Sequence, residues 1–252
     1  IAPRKASFTH LIGWAIVQAA AEQRSMSHAY IERDGQAYRF DPKSINLGLA
    51  VDVERPDGSR FLVVPVIKGA DGMDFAAFHE RYEDLVARAR TNKLAPDDYA
   101  GATITLTNPG TLGTTASVPR LMPNQGTIVA TGTIRAIGQQ RLMTISSTYD
   151  HRIIQGAESG AFLGRIDALL NGEDGFYEDC FRALGATASA VPAAGTVAAP
   201  SVRAEAPPQA ASVSADGMKL VAGAMQLVDA YRIYGHLGAQ LDPLGSPPPG
   251  DP

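Results

Sequence analysis

The chain has 252 residues, of which 45% are hydrophobic, and a formal net charge of -4. This composition is typical of a soluble protein with a sizeable core, the mixed charges argue against nucleic acid, and the longest apolar run, at 61–67, is too short to cross a membrane. A single cysteine excludes an internal disulfide and suits a reducing cytoplasm. Because no methionine opens the chain and SPPPGDP closes it, we expect a piece of a longer polypeptide.

The first part of the chain contains helix and strand patterns in turn. Apolar residues recur at helical spacing over 8–19, with Ser7 or Thr9 available as the N-cap. Residues 45–53 alternate and predict one strand, after which ERPDGSR predicts a hairpin turn into a strand FLVVPVI. Asp74 can cap a second helix, whose inner face comprises Phe75, Phe78, Tyr82, Leu85, Val86 and Ala89.

Three segments rich in β-branched residues follow, namely ATITLTN, TIVATGTI and RLMTISSTY, and they predict neighbouring strands. A last helix is predicted over about 157–170. Together these elements predict an α/β protein, more closely an α+β two-layer sandwich, with a mixed β-sheet and helices packed on one face.

The composition changes at residue 186. Residues 186–217 are dominated by Ala, Pro, Ser and Val, and we predict a flexible linker because they offer little apolar surface to offset an ordering cost of roughly 1 to 2 kcal/mol per residue. Residues 218–235 have a spacing compatible with a helix that needs further partners. We therefore expect a domain over 1–185 with a truncated amino end, the linker, and a truncated second domain over 218–252.

Three blocks of sequence carry a resemblance to a known family. In order, LAPDDYAGATITLTNPGTLGT, SVPRLMPNQGTIVATGTI and TYDHRIIQG resemble the catalytic domain of dihydrolipoyl acyltransferases, and within them the succinyltransferases, over about residues 6–184. The resemblance implies an acyltransferase fold like that of chloramphenicol acetyltransferase and a homotrimer with shared sites. It also implies coenzyme A as a substrate and lipoamide carried by a lipoyl domain in cis or in trans.

The segment after the linker carries a second resemblance. DAYRIYGHLGAQLDPLG, at 229–245, is similar to the start of the thiamine diphosphate-dependent 2-oxoglutarate dehydrogenase component. Both parts in one chain resemble the fused actinobacterial-type 2-oxoglutarate dehydrogenase or decarboxylase. This implies a dehydrogenase domain in the same chain and a complex with dihydrolipoamide dehydrogenase. Since no GDG motif is present, we expect thiamine diphosphate and magnesium only in the missing part of the full-length chain.

His151 is the candidate base. Acyl transfer between a dihydrolipoyl thioester and coenzyme A needs a thiolate, and a thiol with a pKa near 8.5 is mostly protonated at neutral pH. A histidine with a pKa near 6.5 would take that proton roughly 2.7 kcal/mol uphill, a gap that attack on the thioester can absorb. His151 and Gly156 match the first and last places of the family motif HxxxDG. The alternative is a capping or surface histidine.

Thr107 is the candidate donor to the oxyanion of the tetrahedral intermediate, where a preplaced hydrogen bond is worth roughly 3 kcal/mol. The resemblance implies that this hydroxyl meets the histidine across a subunit boundary. The alternative interpretation of TNPG is a strand that ends in a turn, and both can hold together. Asn108 and Arg152 are candidate contacts for coenzyme A, although an arginine here could equally form an ion pair or remain solvated.

Gln155 departs from the family motif. The resemblance implies an aspartate at this place, whose ion pair holds the active-site loop, whereas an amide donates and accepts hydrogen bonds without a charge. We count Gln155 as the third candidate catalytic residue, in a supporting role. Asp150 is either a partner that positions the loop or a surface carboxylate.

The sequence lacks the motifs of serine hydrolases, metalloproteases and P-loop nucleotide-binding proteins. The sequence contains no GxSxG, HExxH or GxxxxGK[ST]. His10, His28, His79 and His236 are scattered along the chain, which predicts core or surface roles and no metal site. Two hypotheses remain: an acyltransferase that uses His151 and Thr107, or an assembly module that trimerises and carries the dehydrogenase part with little or no activity of its own.

Overall fold

The computed structural model describes residues 5–55, 57–137 and 140–185. The predicted linker and the predicted helix over 218–235 lie outside these residues, so both stay predictions, as does the division into domains.

The described part of the chain contains four α-helices, eleven strands and five short 3-10 helices. The helices are α1 (Phe8–Glu22), α2 (Phe75–Arg90), α3 (Gly156–Leu170) and α4 (Phe176–Ala183). The strands are β1 (Ala29–Arg33), β2 (Gln36–Phe40), β3 (Leu47–Leu49), β4 (Val51–Glu54), β5 (Arg60–Val63), β6 (Val66–Ile67), β7 (Ile104–Thr107), β8 (Thr127–Thr131), β9 (Arg135–Ile137), β10 (Gln140–Leu142) and β11 (Ile145–Tyr149). None of the described helices combines the length and the apolar character that crossing a membrane requires.

Five strands form the central sheet, in the order β11-β8-β7-β3-β6. β3, β7 and β8 run parallel, whereas β6 and β11 are antiparallel to their neighbours, so the predicted mixed sheet is confirmed. Paired residues lie on the same face of a sheet. The register therefore aligns Leu49, Leu106 and Val129 on one face, and the smaller Gly48 and Thr105 on the other.

The helices cover the face that carries the leucines. A Cβ added to Gly13 of α1 would lie 3.2 Å from Phe78 of α2 and 3.5 Å from Leu47 of β3. On α3, Phe162 is fully buried in the same core cluster. This packing confirms the predicted two-layer sandwich with helices on one face.

The three predicted helices are confirmed, and their first turns explain why they begin where they do. Ser7 is the N-cap of α1, and its side chain accepts a hydrogen bond from the backbone N–H of His10. Asp74 caps α2, with Oδ1 2.8 Å from the backbone nitrogen of Ala77. Both side chains satisfy backbone donors that have no partner inside the helix. The short helix α4 was not predicted.

The prediction of one strand over 45–53 is wrong, because the chain leaves the central sheet at Ala50. β3 pairs within that sheet, whereas β4 forms a separate antiparallel hairpin with β5, as the turn signal in ERPDGSR predicts. FLVVPVI is also divided, into β5 and β6. Pro65 lies between these strands, and it has no backbone N–H for a ladder, although its carbonyl accepts from Leu49 at 2.8 Å.

The prediction of one strand over RLMTISSTY is also wrong, because its two parts pair with different strands. Its first residues belong to β10, which pairs with β9, and only β11 joins the central sheet. β7, β8 and β11 are adjacent, so the expected neighbourhood of the three segments is confirmed. The hairpin of β1 and β2 was not predicted at all.

Candidate active site

The loop over 150–155 joins β11 to α3 and carries His151. The backbone N–H of Ile154 donates to the carbonyl of Asp150 at 3.0 Å, and the Ile154 side chain is fully buried. His151 lies in this turn as an exposed residue, with its ring centroid 5.4 Å from that of Tyr149. The buried isoleucine thus fixes the loop while the imidazole faces outward.

The residues on either side of His151 form an ion pair. Arg152 donates through Nε and Nη2 to the two carboxylate oxygens of Asp150, at 2.8 and 2.5 Å, and its backbone N–H donates to Oδ1 at 3.1 Å. These bonds hold the pKa of the Asp150 carboxyl below its usual range and raise the pKa of Arg152. The guanidinium also lies 3.6 Å from the centroid of the Tyr30 ring. Of the two interpretations of Asp150, this geometry favours the loop-positioning one.

Gln155 is the N-cap of α3, and its side chain is exposed. Its backbone N–H donates to Oε2 of Glu158 at 2.7 Å. That bond, followed by one from Ser25, lowers the pKa of the Glu158 carboxyl. The negative charge at this end of α3 therefore belongs to Glu158, one helical turn after the position where the family motif has an aspartate.

Thr107 is the last residue of β7 and is half-buried. It lies on the face of the sheet opposite the helices, because Leu106 beside it points into the core. Asn108 follows, and its side-chain amide donates to Oγ1 of Thr9 on α1 at 3.0 Å. Asn108 and Thr9 line a cavity of about 330 Å³. The prediction that Asn108 contacts coenzyme A stays a prediction.

Within one protomer, Thr107 and His151 lie toward opposite ends of the central sheet. The register pairs Thr107 with Ala130, and Ala130 with Ser146 of β11. β11 then continues through three more residues before the loop begins, which corresponds to roughly 10 Å along the strand. The structure groups Asn108 with Thr107, and Arg152 and Gln155 with His151, but it does not bring the two groups together.

A larger cavity, of about 630 Å³, lies where β3 and β7 begin. Asn46, Thr103 and Gln125 line it together with residues of the β1–β2 hairpin. None of the sequence-predicted site residues is part of its lining.

Two of the histidines that are distant in the sequence lie together in the fold, so the prediction that they are scattered is wrong for this pair. His10 on α1 and His79 on α2 have ring centroids 4.3 Å apart, and a ligand atom of Glu83 lies within 4.8 Å of both histidines' ligand atoms. Both histidines are buried. Sequence separation hid this cluster, because packing of two helices brings distant turns into contact.

The hydrogen bonds of the cluster do not suit a metal ion. The backbone N–H of Ser7 points at Nδ1 of His10 at 2.9 Å, so this nitrogen accepts and the proton of a neutral ring is on Nε2. Nε2 lies 2.9 Å from Oε1 of Glu83, although the two are poorly aligned for a hydrogen bond. Nε2 of His79 lies 3.1 Å from the carbonyl of Lys5. A metal on Nε2 of His10 would displace its proton to Nδ1, opposite another donor. This arrangement supports the predicted core role.

The buried His10 predicts a dependence of stability on pH. Burial, and then the neighbouring His79, lower the pKa of His10 below its ordinary value of 6.5. The unfolded chain therefore binds more protons than the folded chain between these two pKa values, and the free energy of unfolding falls as the pH falls through this window. We expect a shallower fall in His10→Gln, measured by chemical denaturation between about pH 7 and about pH 5.

The slope will not vanish in this variant, because burial also lowers the pKa of His28. An unchanged slope in His10→Gln would contradict this assignment. The comparison uses slopes because loss of the ring also removes its packing against Tyr82.

Sequence reasoning missed Tyr30, which faces the His151 loop from the β1–β2 hairpin. A signal was present: Asp34 and Gly35 form the two-residue connection, both with positive φ, of 53° and 73°. Asp-Gly between two strand-forming segments is typical of a type I′ hairpin turn. The contact between Tyr30 and Arg152 had no comparable signal.

Comparisons with known proteins match this chain to one family. A family model described as 2-oxoacid dehydrogenases acyltransferase (catalytic domain) matches residues 2–175. The "Multifunctional 2-oxoglutarate metabolism enzyme" of Mycolicibacterium vanbaalenii is 45% identical over 95% of this chain and 19% of that protein. The "2-oxoglutarate dehydrogenase E1/E2 component" of Corynebacterium glutamicum is 41% identical over 98% of this chain and 20% of that protein. The chain therefore spans about a fifth of the length of these relatives.

Solved structures give the same picture. A truncated catalytic core of the 2-oxoacid dehydrogenase multienzyme complex from Thermoplasma acidophilum is similar with a TM-score of 0.59 and 28% identity, over 68% of this chain and 76% of that one. The dihydrolipoamide acetyltransferase of Azotobacter vinelandii is similar with a TM-score of 0.56 and 28% identity, over 65% and 68% of the two chains.

Proposed function

Because this chain belongs to the 2-oxoacid dehydrogenase acyltransferase family, whose catalytic domain it contains, we propose that it transfers a succinyl group between dihydrolipoamide and coenzyme A. The names of its relatives, which refer to 2-oxoglutarate, support succinyl as the acyl group. In this proposal it is the acyltransferase part of a longer fused enzyme. A thiamine-dependent dehydrogenase domain, a lipoyl domain and dihydrolipoamide dehydrogenase supply the remaining steps.

The proposed reaction begins when His151 takes the proton from the thiol of coenzyme A. The thiolate attacks the carbonyl carbon of the succinyl thioester, and a new carbon–sulfur bond forms. Thr107 donates a hydrogen bond to the oxyanion of the tetrahedral intermediate. When the old carbon–sulfur bond breaks, the leaving dihydrolipoyl sulfur receives the proton from the imidazolium. No residue of the protein becomes covalently attached.

One observation carries this proposal: Thr107 and His151 are accessible but lie toward opposite ends of one sheet. Neither end holds both groups that the chemistry needs. A head-to-tail ring of identical subunits would place the Thr107 end of one protomer against the His151 end of the next. We therefore propose a homotrimer with three shared sites, which agrees with the multienzyme core to which the chain is similar.

The uncharged amide of Gln155 is compatible with the catalytic proposal, although the family motif has an aspartate at this position. In the Azotobacter vinelandii acetyltransferase, crystallographic and enzymatic work addresses the catalytic roles of a serine, a histidine and an asparagine four residues after that histidine. Gln155 likewise presents an amide four residues after His151. An amide at this place is thus compatible with acyl transfer.

The second candidate function is an assembly module that trimerises without activity, and the missing carboxylate at Gln155 favours it. A direct assay separates the two. The full chain is incubated with succinyl-coenzyme A and dihydrolipoamide, thioester formation is followed, and the oligomeric state is measured by light scattering. We expect a trimer that transfers succinyl faster than acetyl. A folded trimer without transfer would leave the assembly role, and faster acetyl transfer would contradict the assignment of the acyl group.

A further inference from the structure

The hairpin of β1 and β2 contacts the His151 loop through one face. Tyr30 and Arg39 are directly paired across the two strands, so both side chains lie on the same face of the hairpin. Tyr30 lies beneath the guanidinium of Arg152, 3.6 Å from ring centroid to Cζ. Arg39 Nη2 lies 3.9 Å from Oε1 of Glu158, in the first turn of α3. One hairpin face therefore contacts both the loop and the first turn of the helix that follows it.

The contact at Tyr30 acts on the backbone around His151. Arg152 is stacked on the ring and at the same time grips both oxygens of Asp150. The Asp150 side chain is only 10% exposed, while that of Arg152 is 62% exposed, so the carboxylate is largely shielded and the guanidinium keeps part of its surface in solvent beside the Tyr30 ring. A guanidinium over an aromatic face is attracted by the ring quadrupole. Both residues that flank His151 are thereby restrained.

The contact at Arg39 acts on the other end of the loop. Glu158 accepts the backbone N–H of Gln155 and lies near Arg39. Arg39 is itself held by a hydrogen bond from its Nε to Nδ1 of His28 at 2.7 Å. Gln155 has no charge with which to form an ion pair of its own, so the attachment to the hairpin runs through Glu158 instead.

We propose that Tyr30 is a positioning residue for His151, because the β1–β2 hairpin holds the catalytic loop through Tyr30 and Arg152. This contact would take over the loop-holding role of the ion pair that the family's aspartate forms at the position of Gln155. This inference rests on the proposed function. In this role Tyr30 acts through Arg152 and not on the substrate. Its ring fixes Arg152, Arg152 fixes Asp150, and the pair sets the direction of the imidazole between them.

The test compares Tyr30→Leu, which removes the aromatic face, with Tyr30→Phe, which keeps it. Tyr38→Leu is the matched control, because Tyr38 pairs with Ile31 and lies on the opposite face of the same hairpin. In the full chain we expect Tyr30→Leu to lower kcat about tenfold while KM for coenzyme A changes less than about twofold, since misdirection of a base slows chemistry without weakening binding. Tyr30→Phe and Tyr38→Leu retain the wild-type kcat.

A second measurement does not depend on activity. Amide hydrogen exchange reports on the turn, because the N–H groups of Arg152, Ile153 and Ile154 all bond to Asp150. We expect faster exchange of these amides in Tyr30→Leu alone. If the wild type transfers no acyl group, the proposed function fails, and exchange still decides the role of Tyr30. If Tyr30→Leu matches the wild type in kcat and in exchange, the positioning role is wrong. If Tyr30→Phe is as impaired as Tyr30→Leu, the aromatic face is not what holds Arg152, and the contact runs through the Tyr30 hydroxyl instead.

Discussion

His151→Ala is expected to lower the rate of acyl transfer about a thousandfold, within the range that general bases contribute. Without the imidazole, the attacking thiol, which in this direction of the assay is that of dihydrolipoamide, must lose its proton to solvent before it attacks. The side chain is exposed, with its ring centroid 5.4 Å from that of Tyr149, so its removal leaves the core intact. The measurement is kcat for transfer between succinyl-coenzyme A and dihydrolipoamide, with thermal unfolding and light scattering to show unchanged fold and assembly.

The partner variant Thr107→Ala is expected to be similarly inactive, because it removes the proposed oxyanion donor. Thr91→Ala is its matched control, since Thr91 caps the end of α2 and its hydroxyl bonds to the carbonyl of Ala87, away from both site ends. Full activity in either His151→Ala or Thr107→Ala would refute the assigned chemistry.

Mixing the two inactive variants tests whether the site is shared between subunits. When Thr107→Ala and His151→Ala chains are unfolded together and refolded at equal concentration, about a quarter of the sites in a head-to-tail ring combine an intact threonine with an intact histidine. We therefore expect recovery of about a quarter of the wild-type activity. A site formed within one protomer would recover none, so a mixture as inactive as its components contradicts the shared site.

Gly110→Ala is expected to lower the free energy of unfolding by about 3 kcal/mol and to abolish transfer. Gly110 follows Thr107 and Asn108, and a Cβ there would lie 2.2 Å from the backbone carbon and oxygen of Gly132 and 2.5 Å from the nitrogen of Thr133. The obstacle is backbone, which cannot rotate away as a side chain would. One of the two crossing segments must move. Because one of them carries Thr107, the proposed oxyanion donor, its displacement is expected to stop transfer.

Gly160→Ala is the matched control for this substitution. Gly160 lies within α3, and nothing lies within 4 Å of a Cβ built there. Alanine favours the helix, so this variant should gain up to about 1 kcal/mol. Chemical denaturation measures both changes. Wild-type stability and activity in Gly110→Ala would mean that the two segments do not cross as closely as the structure has them.

The sequence by itself determined those elements whose local pattern, the spacing of apolar residues and the capping residue, is sufficient to identify them. Helical spacing and a good cap identified α1 and α2, because each apolar stripe must be buried and each first turn needs an acceptor. Three ordered blocks were enough for the family. The family motif points to His151 as the candidate base, and this assignment stays a prediction. Asp34 and Gly35 also indicate a hairpin, because both residue types tolerate positive φ.

Only the tertiary structure decided what depends on how distant segments pack. The alternation over 45–53 is continuous, yet the strand divides because its two halves pair with different partners. His10 and His79 meet because α1 crosses α2, and Tyr30 supports Arg152 because a hairpin folds over a loop. The separation of Thr107 from His151 follows from strand order and direction. Periodicity indicates which side of an element is buried, but not which other element covers it. The contact of Tyr30 with Arg152 and the separation of Thr107 from His151 depend on that second kind of information.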